Sequence, residues 1–127
     1  MPEEHLYFVY GTLRQGDDND ITRLQPAPRF IAHATIQGTM YHLGGYPGVT
    51  LNGNDTIVGE VYAVSAALEM KLDAIESEYP AQSDEYVKRE IQISIDDQPY
   101  TCFVYEINAA YILGKPRIAS GDWVKDR

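Results

Sequence analysis

The chain is poor in reactive and cationic residues: its 127 positions hold one cysteine, three histidines, one tryptophan and ten Lys plus Arg. Cys102 has no partner for an intramolecular disulfide, and its setting in Thr101-Cys102-Phe103-Val104-Tyr105 reads as a small core residue rather than a catalytic thiol. His5, His33 and His42 lack metal-ligand spacing, and no carboxylate joins them in a recognisable motif, so no metal is expected. Ten basic against nineteen acidic residues leave a formal net charge of −9, which argues against a nucleic-acid partner and against an anionic membrane surface. Leu6 to Tyr10 is far too short for a signal-peptide core or a spanning helix, and Met1-Pro2-Glu3-Glu4-His5 is acidic, so the expected location is the cytoplasm. Gly11-Thr12-Leu13-Arg14-Gln15-Gly16 has the glycine spacing of a phosphate loop. Asp17-Asp18 stand where Lys and Ser/Thr are required, however, and no Gly-x-Ser-x-Gly elbow exists, which sets aside nucleotide hydrolysis and serine-hydrolase chemistry.

What is present is an ordinary globular composition, 44% hydrophobic and 23% charged, and an excess of tyrosine, ten in all. That excess suits either a half-wet cavity wall or simple β propensity. One domain, 1–127, is large enough to bury a core without disulfides or a structural metal. Two-residue alternation predicts strands near 6–10, 29–42, 57–64, 86–95 and 100–107. Asp96-Asp97-Gln98-Pro99 reads as the turn of an antiparallel hairpin, and Asn52-Gly53-Asn54-Asp55 as a surface turn. A helix is predicted from about 66 to 77, with Ser65 as N-cap, Leu68, Leu72 and Ile75 as its apolar stripe, and Pro80 forbidding continuation. Glu69 and Glu76 fall on the flank of that stripe. Glu76 lies at the last turn, where the helix dipole disfavours negative charge and tends to raise a carboxyl pKa. Many strands and one helix predict an α+β domain whose curled sheet closes into a small barrel. An exposed apolar patch is not visible in sequence, so oligomeric state is not read from it.

The first strand breaks at Gly11 into Tyr10-Gly11-Thr12-Leu13-Arg14, a loop whose successive N–H groups can face one anion, with Arg14 offering a bidentate guanidinium. An ordinary strand-to-loop turn is the alternative. Further along stand Tyr46-Pro47-Gly48, Leu72-Asp73-Ala74-Ile75-Glu76, Tyr86-x-x-Arg89, Phe103-Val104-Tyr105 and Ser120-Gly121-Asp122-Trp123. This ordered set resembles the gamma-glutamylcyclotransferase-like family, also called AIG2-like, especially its short bacterial and gamma-glutamylamine cyclotransferase members, and spans nearly the whole chain. The resemblance implies a small mixed β-barrel with flanking short helices and a cavity for a small-molecule γ-glutamyl substrate. It implies that Tyr10, Gly11, Thr12 and Leu13 hold the glutamyl end and that Glu76 is the catalytic acid/base. The common family pattern has glycine after that glutamate, where this chain has Ser77 and a polar run over 78–85.

The implied reaction is internal. The substrate's α-amine attacks its own γ-carbonyl, closes a five-membered lactam and releases 5-oxoproline plus an amine, with no metal, cofactor or catalytic Ser/Cys required. Positioning contributes much of the acceleration, since oriented intramolecular reactions reach effective molarities on the order of 10⁵ M or more. An α-amine of pKa near ~8 must first lose a proton, and an unperturbed Glu at about 4.3 is a base mismatched by roughly 5 kcal/mol, so a partly buried Glu76 of raised pKa is expected. Tyr86 and Tyr105 suit cavity walls or strand packing alike, Arg89 a substrate carboxylate or a neighbouring acid, and Tyr46-Pro47-Gly48 a rigid turn at the rim. The competing reading is a non-catalytic small-ligand binding or interaction domain on the same scaffold.

Overall fold

Leu6-Tyr7-Phe8-Val9 alternates side chains that are all apolar in body, and Tyr7, Phe8 and Val9 are buried on both faces of one central strand. The computed structural model describes residues 4–11, 14, 20–44, 47–78 and 86–126, with the side chains of Glu4, 73–78 and 125–126 outside that description. Five strands, β1 (Glu4–Val9), β2 (Arg29–His42), β3 (Pro47–Ser65), β4 (Tyr86–Ile95) and β5 (Gln98–Ile107), form one sheet in the order β2-β3-β1-β5-β4. β1 runs antiparallel to β3, with Tyr7 opposite Tyr62 and Val9 opposite Glu60, and parallel to β5, with Leu6 opposite Cys102 and Tyr7 opposite Phe103.

The helix α1 (Ala66–Glu78) follows β3 directly, and its Leu68 N–H donates to Ser65 Oγ at 3.2 Å, the expected N-cap. Leu68 and Leu72 are fully buried against Tyr7, Val9, Tyr62 and Tyr105 on one face of the sheet. Ile75, the third residue of the expected stripe, has its side chain outside the described residues. On the other face Phe8, Tyr10, Met40, Val49, Val61 and Val104 build a second core. The C-terminal segment completes it: Ile118 N–H donates to Met40 O, His42 N–H to Pro116 O and Val58 N–H to Gly121 O, and Trp123 opens a short helix α2 (Trp123–Asp126) buried in that core.

Three expectations need correction. The sheet is mixed and curled but open, so a closed barrel is not formed: β2 and β4 approach each other, yet among the described residues no ladder joins them. At its far end the free edge of β2 is taken by the 116–118 segment. Farther along, Thr35 and Gln37 face Gln92 and Ser94 across a cleft of about 470 Å³. Asn52-Gly53-Asn54-Asp55 is not a surface turn between strands but an exposed irregularity inside the long β3, where pairing jumps from Thr39 opposite Thr50 to Gly38 opposite Asp55. The hairpin turn is only Asp96-Asp97, because Ile95 already pairs with Gln98 and Pro99 lies within β5.

Asp96 and Asp97 both sit in the left-handed region, at φ 52° and 65°, as a two-residue turn of mirror-image hand requires. Replacing them with Asn-Gly, which adopts that turn with less strain, is expected to stabilise the protein by on the order of 0.5–1 kcal/mol and raise Tm by a few degrees. A lower Tm in thermal denaturation would contradict the turn assignment.

Candidate active site

Four strand ends meet where β1 runs out. Tyr10, 6% exposed, donates its hydroxyl hydrogen to the Tyr105 carbonyl at 2.6 Å, and its oxygen accepts from Val49 N–H at 3.3 Å. Tyr86 donates to the Pro47 carbonyl at 2.7 Å. Close approach needs glycine: a Cβ on Gly11 would stand 2.8 Å from Pro47 Cγ, and one on Gly48 would stand 2.8 Å from Ile107 Cβ. Tyr10, Gly11, Pro47, Gly48, Tyr86 and Tyr105, scattered over most of the sequence, thus share one end of the sheet. Thr12, Leu13, Tyr46 and the side chain of Glu76 lie outside the described residues.

Both arginines pair with acids of the chain itself. Arg14 closes a turn through its N–H to Gly11 O at 3.0 Å, and its guanidinium is buried. Its Nε donates to Glu60 Oε2 at 3.0 Å and its Nη1 to Asp122 Oδ1 at 2.8 Å, while Glu60 Oε1 accepts from Tyr62 at 2.7 Å. This arginine holds the loop to β3 and to the C-terminal segment. Arg89, half exposed on β4, donates to Glu106 Oε1 at 3.0 Å, and Glu106 Oε2 accepts from Leu51 N–H at 2.8 Å, so it pairs with the neighbouring acid.

Glu60, Asp122 and Lys88 were missed in the sequence. A glutamate inside the otherwise apolar Val58-Gly59-Glu60-Val61-Tyr62 was the available signal, since a buried charge in a strand needs a partner. Lys88, on the same face of β4 as Tyr86, places its ammonium 5.3 Å from the Tyr7 ring centroid, 5.5 Å from that of Phe103 and 6.0 Å from that of Tyr105. It also donates to Glu69 Oε2 at 3.3 Å. Glu69 further accepts from His5 Nδ1 at 3.0 Å and from the fully buried Tyr7 hydroxyl. Burial raises the Glu69 pKa, but the hydrogen bonds from Tyr7, His5 and Lys88 outweigh it and hold the carboxyl below its ordinary range. Burial and the Glu69 carboxylate push the Tyr7 phenol upward. Cys102 is fully buried and burial pushes its thiol up to about 11, against any role as a thiolate nucleophile. Among the described residues no three His, Cys, Asp or Glu side chains are grouped to hold a metal ion, and no helix is long and apolar enough to cross a membrane.

The family described as "Gamma-glutamyl cyclotransferase, AIG2-like" matches residues 7–125. The chain belongs to that family. The Escherichia coli K12 gamma-glutamylcyclotransferase family protein YtfP is 34% identical over 119 residues, 92% of this chain and 94% of that one. A shorter match, 39% over 70 residues, covers 54% of this chain and 44% of the Niallia circulans gamma-L-glutamyl-butirosin B gamma-glutamyl cyclotransferase. Among solved structures, the Bacillus subtilis protein YkqA superposes with a TM-score of 0.74 at 28% identity over 97% of this chain, which spans 40% of YkqA. A mouse AIG2-like protein shares the fold, with a TM-score of 0.75 at 24% identity over 94% of this chain and 89% of that one.

Two stability outcomes follow in this gamma-glutamyl cyclotransferase-like chain. Arg14→Met leaves the buried Glu60 carboxylate without its cation and is expected to cost about 3–5 kcal/mol in chemical denaturation; a loss near zero would show the pair to be dispensable. The Glu69 carboxyl, depressed in the folded state, contributes stability above its unfolded pKa and loses it as pH falls through the lower folded value. Glu69→Gln is therefore expected to be less stable than wild type at pH 7, with the gap closing as pH drops below about 4.3. A gap independent of pH would contradict the charged node.

Proposed function

We propose that this chain is a γ-glutamyl cyclotransferase that converts a γ-glutamyl amine or γ-glutamyl amino acid to 5-oxoproline and a free amine. The observation that carries the reading is the convergence of Tyr10, Gly11, Pro47, Gly48, Tyr86 and Tyr105 at one end of the sheet, in a chain of this family. In the proposal the Tyr10, Gly11, Thr12, Leu13 loop holds the α-carboxylate and amine end of the glutamyl group, with Tyr46 at the rim and Tyr86 and Tyr105 as walls. Arg14 is assigned to holding that loop rather than to the substrate.

Glu76 is the proposed general acid/base, and backbone geometry supports it. α1 starts where Ser65 pairs with Glu4, and Glu69 already reaches His5 and Tyr7, so the helix advances along β1 in the same direction. A helix on that course rises roughly 10 Å over the next seven residues, about three residues of strand, which matches the step from Tyr7 to Tyr10. There a carboxylate takes a proton from the substrate's α-ammonium. The freed nitrogen forms the bond to the γ-carbon and loses a second proton to become the lactam N–H. The old amide C–N bond breaks, and the departing nitrogen takes up both protons, one of them returned by the carboxylic acid, to leave as an ammonium. Backbone N–H groups beside Gly11 and Gly48 are candidates for stabilising the oxyanion that forms in between. One relative is named for a γ-glutamylated butirosin, which supports testing bulky amines beside amino acids.

Wild-type protein incubated with a panel of γ-glutamyl donors is expected to release 5-oxoproline, and Glu76→Gln, which keeps the shape and removes the base, is expected to lose at least about 100-fold of that rate. Near-normal turnover in Glu76→Gln would sink the assignment of the base. Free glutamate in place of 5-oxoproline would replace cyclisation by hydrolysis, and ligand-induced thermal stabilisation without any product would favour the binding-domain reading.

A further inference from the structure

β1 leads into Tyr10 of the candidate site, β4 and β5 carry Tyr86 and Tyr105, and both β1 and β4 also send side chains to one carboxylate on α1. His5 and Tyr7 of β1 donate to Glu69, three to five residues before Tyr10. Lys88 of β4, two residues after Tyr86, donates to it as well, at 3.3 Å. Beneath the Lys88 ammonium lie the rings of Phe103 and Tyr105 of β5, and the Tyr105 carbonyl is the group that receives the Tyr10 hydroxyl. The carboxylate is largely buried, with 16% of its side chain exposed. Leu68 and Leu72 add apolar contact between α1 and the sheet. Lys71 adds only an exposed bond to the Gln25 carbonyl. Apolar contact is non-directional and leaves a helix free to slide or roll by small amounts, whereas three donors converging on one carboxylate fix both settings.

We propose that Glu69 is the positioning residue for the reaction: by fastening α1 to Tyr7, His5 and Lys88 it sets the depth and rotation of the helix that carries Glu76. The inference rests on Glu76 being the acid/base. Helix phase makes the coupling direct, because seven residues at about 100° each fall only ~20° short of two full turns, so positions 69 and 76 lie on one flank. Rotation of the helix at Glu69 is rotation at Glu76. A misplacement of about 1 Å at a reacting group costs on the order of 10²-fold in rate.

The test compares Glu69→Ala, Glu69→Gln and Tyr7→Phe in two readouts at a temperature well below melting. For 5-oxoproline release, Glu69→Ala is expected to lower kcat by roughly 10- to 100-fold with KM within about twofold. Glu69→Gln, whose amide oxygen still accepts from Tyr7 and His5, is expected to recover most of that loss, and Tyr7→Phe to show a smaller loss of the same kind. Amide hydrogen exchange in α1 is expected to speed up in Glu69→Ala and to return towards wild type in Glu69→Gln. A KM effect in place of a kcat effect, an equal loss in Ala and Gln, or unchanged exchange in α1 overturns the proposal. Absence of turnover by wild type on every donor defeats the Glu76 reading instead, and exchange in α1 then decides by itself whether Glu69 fastens the helix.

Discussion

A single phenolic oxygen, that of Tyr10, joins strands that no ladder joins at that end of the sheet. β1 and β5 are paired only around Leu6, Tyr7, Cys102 and Phe103, and the first residues of β3 pair with β2 rather than β1. Tyr10 bridges the gap by donating to the Tyr105 carbonyl and accepting from Val49 N–H, so one buried side chain ties the backbones of β5 and β3 together. That end of the sheet is therefore held by the hydroxyls of Tyr10 and Tyr86 and by the glycine approaches at Gly11 and Gly48. The ladders of β1 stop short of it, whereas those of β2–β3 and β4–β5 run up to Pro47 and Tyr86.

Two largely buried ionic groupings lie along the strands that lead to that end, and each ties a non-strand element to them. Arg14 draws the loop after β1 onto Glu60 and Asp122, and Glu69 draws the helix onto Tyr7, His5 and Lys88. Buried ion pairs are poor sources of net stability, because desolvation offsets much of the attraction. Their value is geometric: a directional pair specifies one arrangement where apolar packing tolerates several. An intramolecular reaction that brings its own nucleophile gains most from such preorganisation, since orientation supplies much of the acceleration.

Local pattern was legible to within a few residues except at β3, which is expected at 57–64 and begins ten residues earlier, at Pro47. The alternation in 29–42 and 86–95 gives β2 and β4 with the bounds expected, and Ser65 caps the helix as its position suggested. What failed was non-local. Whether a curled sheet closes depends on how two edges meet after all five strands have twisted, and here the 116–118 segment takes part of the β2 edge. Asn52-Gly53 carries turn chemistry that the protein uses as a bulge inside one long strand. Arg14 looked available because Glu60 is 46 residues away and Asp122 is 108 away, distances that only the β1–β3 register and the C-terminal docking remove. The grouping of Tyr10, Gly11, Pro47, Gly48, Tyr86 and Tyr105 was legible only through family resemblance, since no spacing rule links residues on four strands.

The central claim is that the ligand end of this molecule is where β1, β3, β4 and β5 run together, and product binding tests it without relying on turnover. In a titration of ¹⁵N-labelled protein with 5-oxoproline, the amide resonances of Tyr10, Gly11, Val49, Tyr86 and Tyr105 are predicted to shift together in a saturable way. Saturable shifts confined to Thr35, Gln37, Gln92 and Ser94, which line the cleft between β2 and β4, would place the ligand on the opposite feature of the fold and contradict the account.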